Sequence, residues 1–466
     1  MIEPPPYHRS ALSVGIVHFG PGAFHRAHLA DYVDRLLHND PRWAIAAVSL
    51  RSPATIEALA RQDGLYTLAI LDRERRYRLL CPHRRFLGPG QDRPVRELLG
   101  DPAVRIVSST VTEKGYCLAA DGSLDFDHPD IRRDLSAPDR PGSLIGWLAL
   151  GLADRRAQGL PPFVPLCCDN MSANGTRLKA AVIAFAGRID PGLADWIGGE
   201  VRFPDTMVDS ITPATTDELR REVREATGFD DLIPVAREAY SAFVIEDVLP
   251  GDAPDLKSVG ARLSSDVAGW EKAKLRMLNG AHSTFAYLGL LIGYDTVAEA
   301  MDEDMLAGFV ERLMRDDIAA SLSPSPIDLD SYADEILDRF RNPAIGHKLA
   351  QIAWDGSQKL PYRLLDPAAE ALAAGRPISR LAVPVAAWML FIEARARAGE
   401  EIIDPLSAEL ARIGRSGDVV ARLLGLEQIF PERLARNSDF RSAVSEAAEA
   451  MRSAGPRAFL AAKAGE

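Results

Sequence analysis

The densest set of reactive side chains lies in Glu271-Lys-Ala-Lys274-Leu-Arg-Met-Leu-Asn279-Gly-Ala-His282. On an α-helix turning about 100° per residue, with Lys274 at the origin, Glu271, His282 and Asn279 fall at roughly 60°, 80° and 140°. Leu275 and Leu278 interleave with them, so polar groups share one side of an otherwise apolar helix. Buried Lys, Asn and His must be hydrogen-bonded or put to use. Glu271 and Lys274 could form a structural pair at i, i+3 spacing, but the whole constellation favours chemistry. A lysine in water, with a pKa of about 10.4, is too basic to take a proton at neutrality. Burial favours the neutral amine, which can accept a proton from a hydroxyl group. Two more groups could assist. Asn170 follows an apolar run, where an amide donates to a substrate oxygen or serves a turn. Lys359, in Trp354-Asp-Gly-Ser-Gln-Lys, could bind a carboxylate or hydroxyls, or could close a helix. His25 and His28 are three residues apart but have no further ligand in register, so no metal is expected.

These residues need a scaffold. Apolar runs at 14–19, 44–50, 105–111 and 163–168 read as buried strands, and 144–158 reads as a helix. Strands alternating with helices give an α/β fold with a parallel sheet. Phe19-Gly20-Pro21-Gly22-Ala23-Phe24-His25 stands where the first strand hands over to a helix. There Gly20 permits a tight turn and Gly22 a close approach to a pyrophosphate, although His25 replaces the third glycine of a dinucleotide fingerprint. The second strand ends in Arg51-Ser52 rather than an acid, so Arg51 is either a 2′-phosphate contact or a solvated loop residue. Ser109-Thr-Val111-Thr112-Glu113-Lys-Gly115 closes the third strand on the ligand-binding edge of such sheets. From about residue 265, helical patterns dominate, at 272–291, 296–315, 329–341 and 381–398. Two domains are expected, 1–265 and 266–466.

Composition narrows the partners. The 466 residues are 47% hydrophobic and 26% charged, a globular rather than disordered balance. A net charge of −12 argues against a nucleic-acid or anionic-membrane binder, yet leaves room for a local pocket that takes a small anion. The four cysteines form no CxxC pair, and adjacent Cys167 and Cys168 would face opposite sides of a strand, which suits a reducing compartment and not a zinc knuckle. Residues 1–12 lack the apolar core of a secretion signal. The longest apolar run, 381–392, contains Pro384 and falls short of the ~20 residues that span a bilayer. A cytoplasmic protein is expected.

Together the motifs resemble the long-chain mannitol dehydrogenase family, which includes mannitol 2-dehydrogenases, fructuronate reductases (D-mannonate oxidoreductases) and tagaturonate reductases. The matching stretches are 16–28, 110–116, 168–170, 203–209, 211–215, 274–282 and 355–361, so the resemblance covers nearly the whole chain. It implies a zinc-independent, NAD- or NADP-dependent oxidoreductase. Its N-terminal domain would be an extended Rossmann fold, its C-terminal domain mainly α-helical, and its active site would lie between them. Lys274 would be the general acid/base, Asn170 and Asn279 would hold the reacting oxygen, and His282 would orient the substrate. Phe19, Gly20, Gly22, Phe24, Arg51, Val111, Thr112 and Glu113 would contact the cofactor. Asp209, Glu271 and Lys359 would belong to the substrate side, with Glu113 and Glu271 near the proton path. The run 351–361 and residues 112–117 are similar to the hexuronate-reducing branch; the mannitol branch often has Arg at the position of Gln351. D-mannonate/D-fructuronate is therefore the expected pair, D-mannitol/D-fructose the alternative. A non-catalytic dinucleotide sensor is the reading from another class, and a metal hydrolase a weaker rival.

Overall fold

The computed structural model describes residues 5–463; residues 1–4, part of the stretch read for a secretion signal, and 464–466 lie outside that description. The chain divides into two compact units, one ending at Ala268 and the other starting at Gly269.

The first unit holds strands β1 (Val14–Phe19), β2 (Ala44–Val48), β3 (Tyr66–Leu71), β4 (Arg76–Leu80), β5 (His83–Leu87), β6 (Ile106–Ser109), β7 (Val164–Cys167), β8 (Thr206–Asp209), β9 (Val235–Glu238), β10 (Ala242–Glu246) and β11 (Arg262–Ser264). Five of them make a parallel sheet in the order β5-β2-β1-β6-β7. The strand order reverses between β1 and β6, the crevice where Rossmann-like sheets bind ligands. Ala44-Ile-Ala-Ala-Val in β2 is buried throughout, as a strand covered on both faces must be. Alternation along β1 sends Val17 and Phe19 into one core, under the helix Leu144–Ala157, and Ile16 into another, under Leu29–Leu36.

The observed β2 and β6 stop two residues before the expected runs, because Ser49-Leu50 and Thr110-Val111 already turn away from the sheet. Seven strands have no counterpart in the sequence analysis: β5 at the edge of the parallel sheet, and the two small sheets formed by β3, β4 and β9 and by β8, β10 and β11. β3 is an uncharged, buried run, whereas the others set polar or charged residues among apolar ones and are defined by long-range pairing. Buried Asp31 ties one of these sheets to the helix Leu29–Leu36, through Arg78 on β4 and Arg237 on β9.

A layer of imidazoles lies beneath β1. His18 and His25 stack with centroids 3.5 Å apart. Nε2 of His25 lies 2.9 Å from Nε2 of His83, while Nε2 of His28 turns instead to the Ala242 carbonyl, also at 2.9 Å. The two histidines three residues apart thus serve different partners.

The second unit is helical, built on one large core that includes Phe285, Tyr287 and Trp388. The apolar run with Pro384 becomes the helix Ser379–Ala398, buried on nearly all sides. Among the described residues no helix is long and apolar enough to cross a membrane. The continuous helix expected over 272–291 is interrupted. Val267–Ala273 is α-helical, Lys274–Leu278 is a π-helix, and Asn279–Ile292 resumes the α-helix. A π turn bonds i to i+5 and takes in an extra residue, so the angles projected from Lys274 to Asn279 and His282 do not hold. The run 296–315 divides likewise, into Val297–Met301, Asp304–Arg312 and a π segment, Leu313–Ile318.

The imidazole layer predicts acid lability. Burial holds His18 and His83 at about 3 and His28 at about 4, against an ordinary 6.5; His25 is lowered too, by burial first and then by its His neighbours. The unfolded chain therefore binds protons that the folded one refuses. This stability is complete above pH 6.5 and is lost as the pH falls towards about 4, by up to about 1.4 kcal/mol per pH unit for each residue. Asp34, raised by burial to about 6, opposes this with a single proton. Urea midpoints measured across this range should fall steeply on acidification and level off above neutrality; a midpoint that stays flat down to about pH 5 would show that the layer accepts protons without loss.

Candidate functional site

In the first unit, a cavity of about 160 Å³ opens at the carboxyl ends of β1, β2 and β6, lined by Gly20, Ser49, Arg51, Val111, Gly115 and Asp130 among others. Gly20 has φ +88°, and a Cβ there would lie 2.2 Å from the Thr110 carbonyl oxygen, so only glycine fits. Its own carbonyl accepts from Thr110 Oγ1 at 2.7 Å and meets His18 Nε2 at 3.2 Å. Gly22 differs: a Cβ there would meet only the Gly20 oxygen, at 3.9 Å. The protein's own packing does not demand that glycine, and bare backbone is left for a ligand's phosphates. Phe19 turns its side chain into the core, so only its main chain borders the turn. Phe24 is half-buried and stacks on His28 at 5.0 Å. Arg51 is neither free nor merely solvated; its Nη2 pairs with Asp130 at 3.0 Å beside the cavity.

The segment after β6 is anchored by an acid. Asp169 accepts from the Val111 N–H at 2.8 Å, the Thr112 N–H at 3.2 Å and the Tyr116 hydroxyl at 2.6 Å. Burial pushes the Asp169 carboxyl up, while these donors hold it down. Thr112 takes φ +65°, a costly conformation for a β-branched residue that its pairing helps to hold. Val111 borders the cavity, whereas the Thr112 and Glu113 side chains are exposed. Asn170 is exposed just beyond β7, and Asp209 is buried at the end of β8.

In the second unit Lys274 and His282 are buried, 7% and 6% exposed, while Glu271 and Asn279 are half-buried. His282 packs on Phe340 at 4.5 Å, and its Nε2 is buried without a hydrogen-bond partner. Burial, helped by His347, Arg339 and Arg363, keeps it neutral. Arg276, within the same motif, pairs twice with Glu370 at 2.6 Å. Lys359 is half-buried, and its Nζ donates to the carbonyls of Trp354 at 2.5 Å and Ile352 at 3.4 Å.

Residues 14–258 match the mannitol dehydrogenase Rossmann domain, and 266–452 the mannitol dehydrogenase C-terminal domain. The chain belongs to the mannitol dehydrogenase family. Similar relatives include the D-mannonate oxidoreductase of Escherichia coli K12, 41% identical over 98% of this chain and 97% of that one. Among solved structures, a substrate-free D-sorbitol dehydrogenase aligns with TM-score 0.92 and 30% identity over 98% of this chain and 97% of its own. The Pseudomonas fluorescens mannitol 2-dehydrogenase, in a ternary complex with NAD and D-mannitol, aligns with TM-score 0.81 and 33% identity over 98% and 96%.

This member of the mannitol dehydrogenase family is an oxidoreductase of CH–OH groups. Sequence reasoning passed over several of its residues. Asp130 lies far along the chain from β2, whose end it borders. Asp169 stood inside a quoted motif but was overshadowed by Asn170. The described residues hold one cluster of three potential metal ligands, Cys117, His128 and Asp130. Each is engaged otherwise: His128 Nδ1 accepts the Asp130 N–H, Asp130 pairs with Arg51 and Arg133, and burial pushes the Cys117 thiol up to about 11.

The Asp169 anchor sets a stability expectation. Asp169→Ala would take the acceptor from two backbone N–H groups and one of three partners from the Tyr116 hydroxyl, which keeps Ser109 Oγ and Cys167 Sγ, and should cost about 1–3 kcal/mol in urea unfolding. Tyr116→Phe should cost roughly 1 kcal/mol. An Asp169→Ala loss well below about 1 kcal/mol would mean that the loop does not depend on this acid.

Proposed function

We propose that the protein is a cytoplasmic, zinc-independent NAD-dependent oxidoreductase interconverting D-mannonate and D-fructuronate. The observation that carries this reading is the burial of Lys274 and of the unpartnered His282 Nε2 on one helical run, in a chain 41% identical to a D-mannonate oxidoreductase. A buried imidazole nitrogen with no partner costs free energy unless a ligand hydroxyl completes it.

NAD fits the first unit better than NADP. Asp130 occupies the position beside Arg51 where a 2′-phosphate would have to displace an existing ion pair, and a carboxylate there can accept from ribose hydroxyls. The bare backbone at Gly22 suits phosphates, and Gly20 and Val111 border the adjoining cavity. When bound, the nicotinamide supplies the hydride acceptor or donor.

The remaining work falls to the chain's own side chains. Lys274, as a neutral amine, takes the hydroxyl proton during oxidation and returns it during reduction; its burial favours the uncharged form. Asn170 and Asn279 donate amide hydrogens to the developing alkoxide, each worth on the order of 3 kcal/mol in the transition state. His282, neutral, holds a neighbouring hydroxyl. Lys359 contacts the carboxylate end, and Asp209, Glu113 and Glu271 serve the surroundings of the proton path.

The test is NADH oxidation followed with D-fructuronate, D-tagaturonate and D-fructose, with and without chelator. Fructuronate should be preferred, NADH should outperform NADPH, and chelator should change nothing. A preference for fructose would assign the chain to the mannitol branch. Lys274→Ala should lower kcat by about 10³ while NADH still binds; a mutant within about tenfold of wild type would refute the acid/base role.

A further inference from the structure

Many arginines of the second unit pair with acids and others, such as Arg415 and Arg441, reach only backbone carbonyls; Arg363 is set apart by lacking an acid where burial desolvates it, beside the proposed chemistry. Arg276 pairs with Glu370, Arg380 with Asp317 at 2.6 Å, and Arg315 with Glu311 at 3.0 Å. Arg363 pairs with none among the described residues. Its Nη1 donates to Ser283 Oγ at 3.0 Å and to the Asn279 carbonyl at 3.4 Å, and its Nε and Nη2 have no acceptor among the described residues. It stands on a π-helix, Pro361–Leu365, whose irregular turn follows directly on the short helix that carries Lys359.

Lys359, four residues earlier, is the second cation in this place. It too has only carbonyl partners. The acids that act on it, Asp355 and Asp404, form no ion pair with it, and Asp404 already accepts from the Ser357 N–H and hydroxyl and the Leu406 N–H. Burial and the guanidinium of Arg363 together weaken its hold on a proton. The Arg363 charge also reaches His282, the imidazole with the unpartnered nitrogen. Two like charges four residues apart, partly desolvated and without an acid, raise the free energy of the empty protein. Such an arrangement persists where a ligand brings the missing negative charge.

We propose that Arg363, together with Lys359, binds the carboxylate of the sugar acid, and that Arg363 sets the preference for a ketouronate over a neutral ketose. A guanidinium with two uncommitted donors matches a carboxylate's paired oxygens, which an ammonium alone does not. Its third bond, to the backbone of Asn279 and the hydroxyl of Ser283, fixes the fork against the helix that carries Asn279 and His282. This rests on the ketouronate reading above.

The full-length enzyme, saturated with NADH, is assayed on D-fructuronate and on D-fructose as wild type, Arg363→Ala and Arg363→Lys. Arg363→Ala should lower the ratio of the two kcat/KM values by roughly 10- to 100-fold, chiefly through KM for the ketouronate, as loss of a charge-assisted hydrogen bond predicts. Arg363→Lys should recover part of the ratio, since charge returns without the fork. If both substrates suffer alike, within about threefold, Arg363 merely braces Asn279 and the proposal fails while the ketouronate reading stands. A wild type inactive on ketouronates but active on fructose overturns both. Should Arg363→Ala not fold, as judged by its urea midpoint, Arg363→Gln carries the same comparison.

Discussion

The first unit depends on how closely two chain segments pass at the carboxyl ends of β1 and β6. The Thr110 carbonyl comes so near Gly20 that a Cβ would overlap it at 2.2 Å. That closeness lies at the reversal of strand order, where the sheet splays its loops and leaves a crevice. Three consequences follow from the same contact. The Gly20 carbonyl is drawn inward, to Thr110 Oγ1 and His18 Nε2. The segment beyond Thr110 must leave the sheet at once, which puts Thr112 at positive φ and leaves its N–H for Asp169. Finally, the backbone at Gly22 stays uncovered, because the turn spends its tight packing at Gly20.

Buried polarity is left partly unsatisfied in both units. Under β1 the imidazoles are held neutral and each finds a partner through one nitrogen, another ring or a carbonyl, while the Nδ1 atoms of His25, His28 and His83 stay buried without one. His18 Nε2 supports the Gly20 turn through its carbonyl. In the helical unit one region gathers such groups with charge: among the described residues the His282 Nε2 has no hydrogen-bond partner, and Lys359 and Arg363 have no acid. Elsewhere in that unit the same residue types are neutralised, as in Arg276 with Glu370 and Arg380 with Asp317. Arg363 differs from the other arginines without an acid, such as the exposed Arg415, in being desolvated beside a second cation, where outside chemistry is expected to complete it.

Four strands of the central sheet were legible because they are continuous apolar runs; its edge strand β5, with two exposed arginines, was not. Val14–Phe19 and Ala44–Val48 need no tertiary information to be recognised. The small sheets were not legible. Arg76-Tyr-Arg-Leu-Leu has no clean alternation, and it becomes a strand only through Tyr66–Leu71 beside it and Arg78 reaching Asp31. Single-segment patterns miss elements whose stability comes from such distant partners.

The site was legible in its residue types more than in its geometry. Lys274, Asn279 and His282 could be singled out because polar groups on an apolar helix demand a reason. Their relative orientation could not be projected, since the π turn at Lys274–Leu278 adds a residue that no composition rule announces. Another π segment, Pro361–Leu365, carries Arg363, and there the sequence signal was weaker still. Arginine four residues after lysine on a surface helix is ordinary; what makes Arg363 informative is the lack of an acid at a desolvated position beside Lys359, and that combination is visible only in the fold. The same logic separates Asp130 from Arg51. From sequence, Arg51 is either a 2′-phosphate contact or a solvated loop residue; in the fold it is exposed and lies 3.0 Å from Asp130, a partner that its place in the chain does not announce.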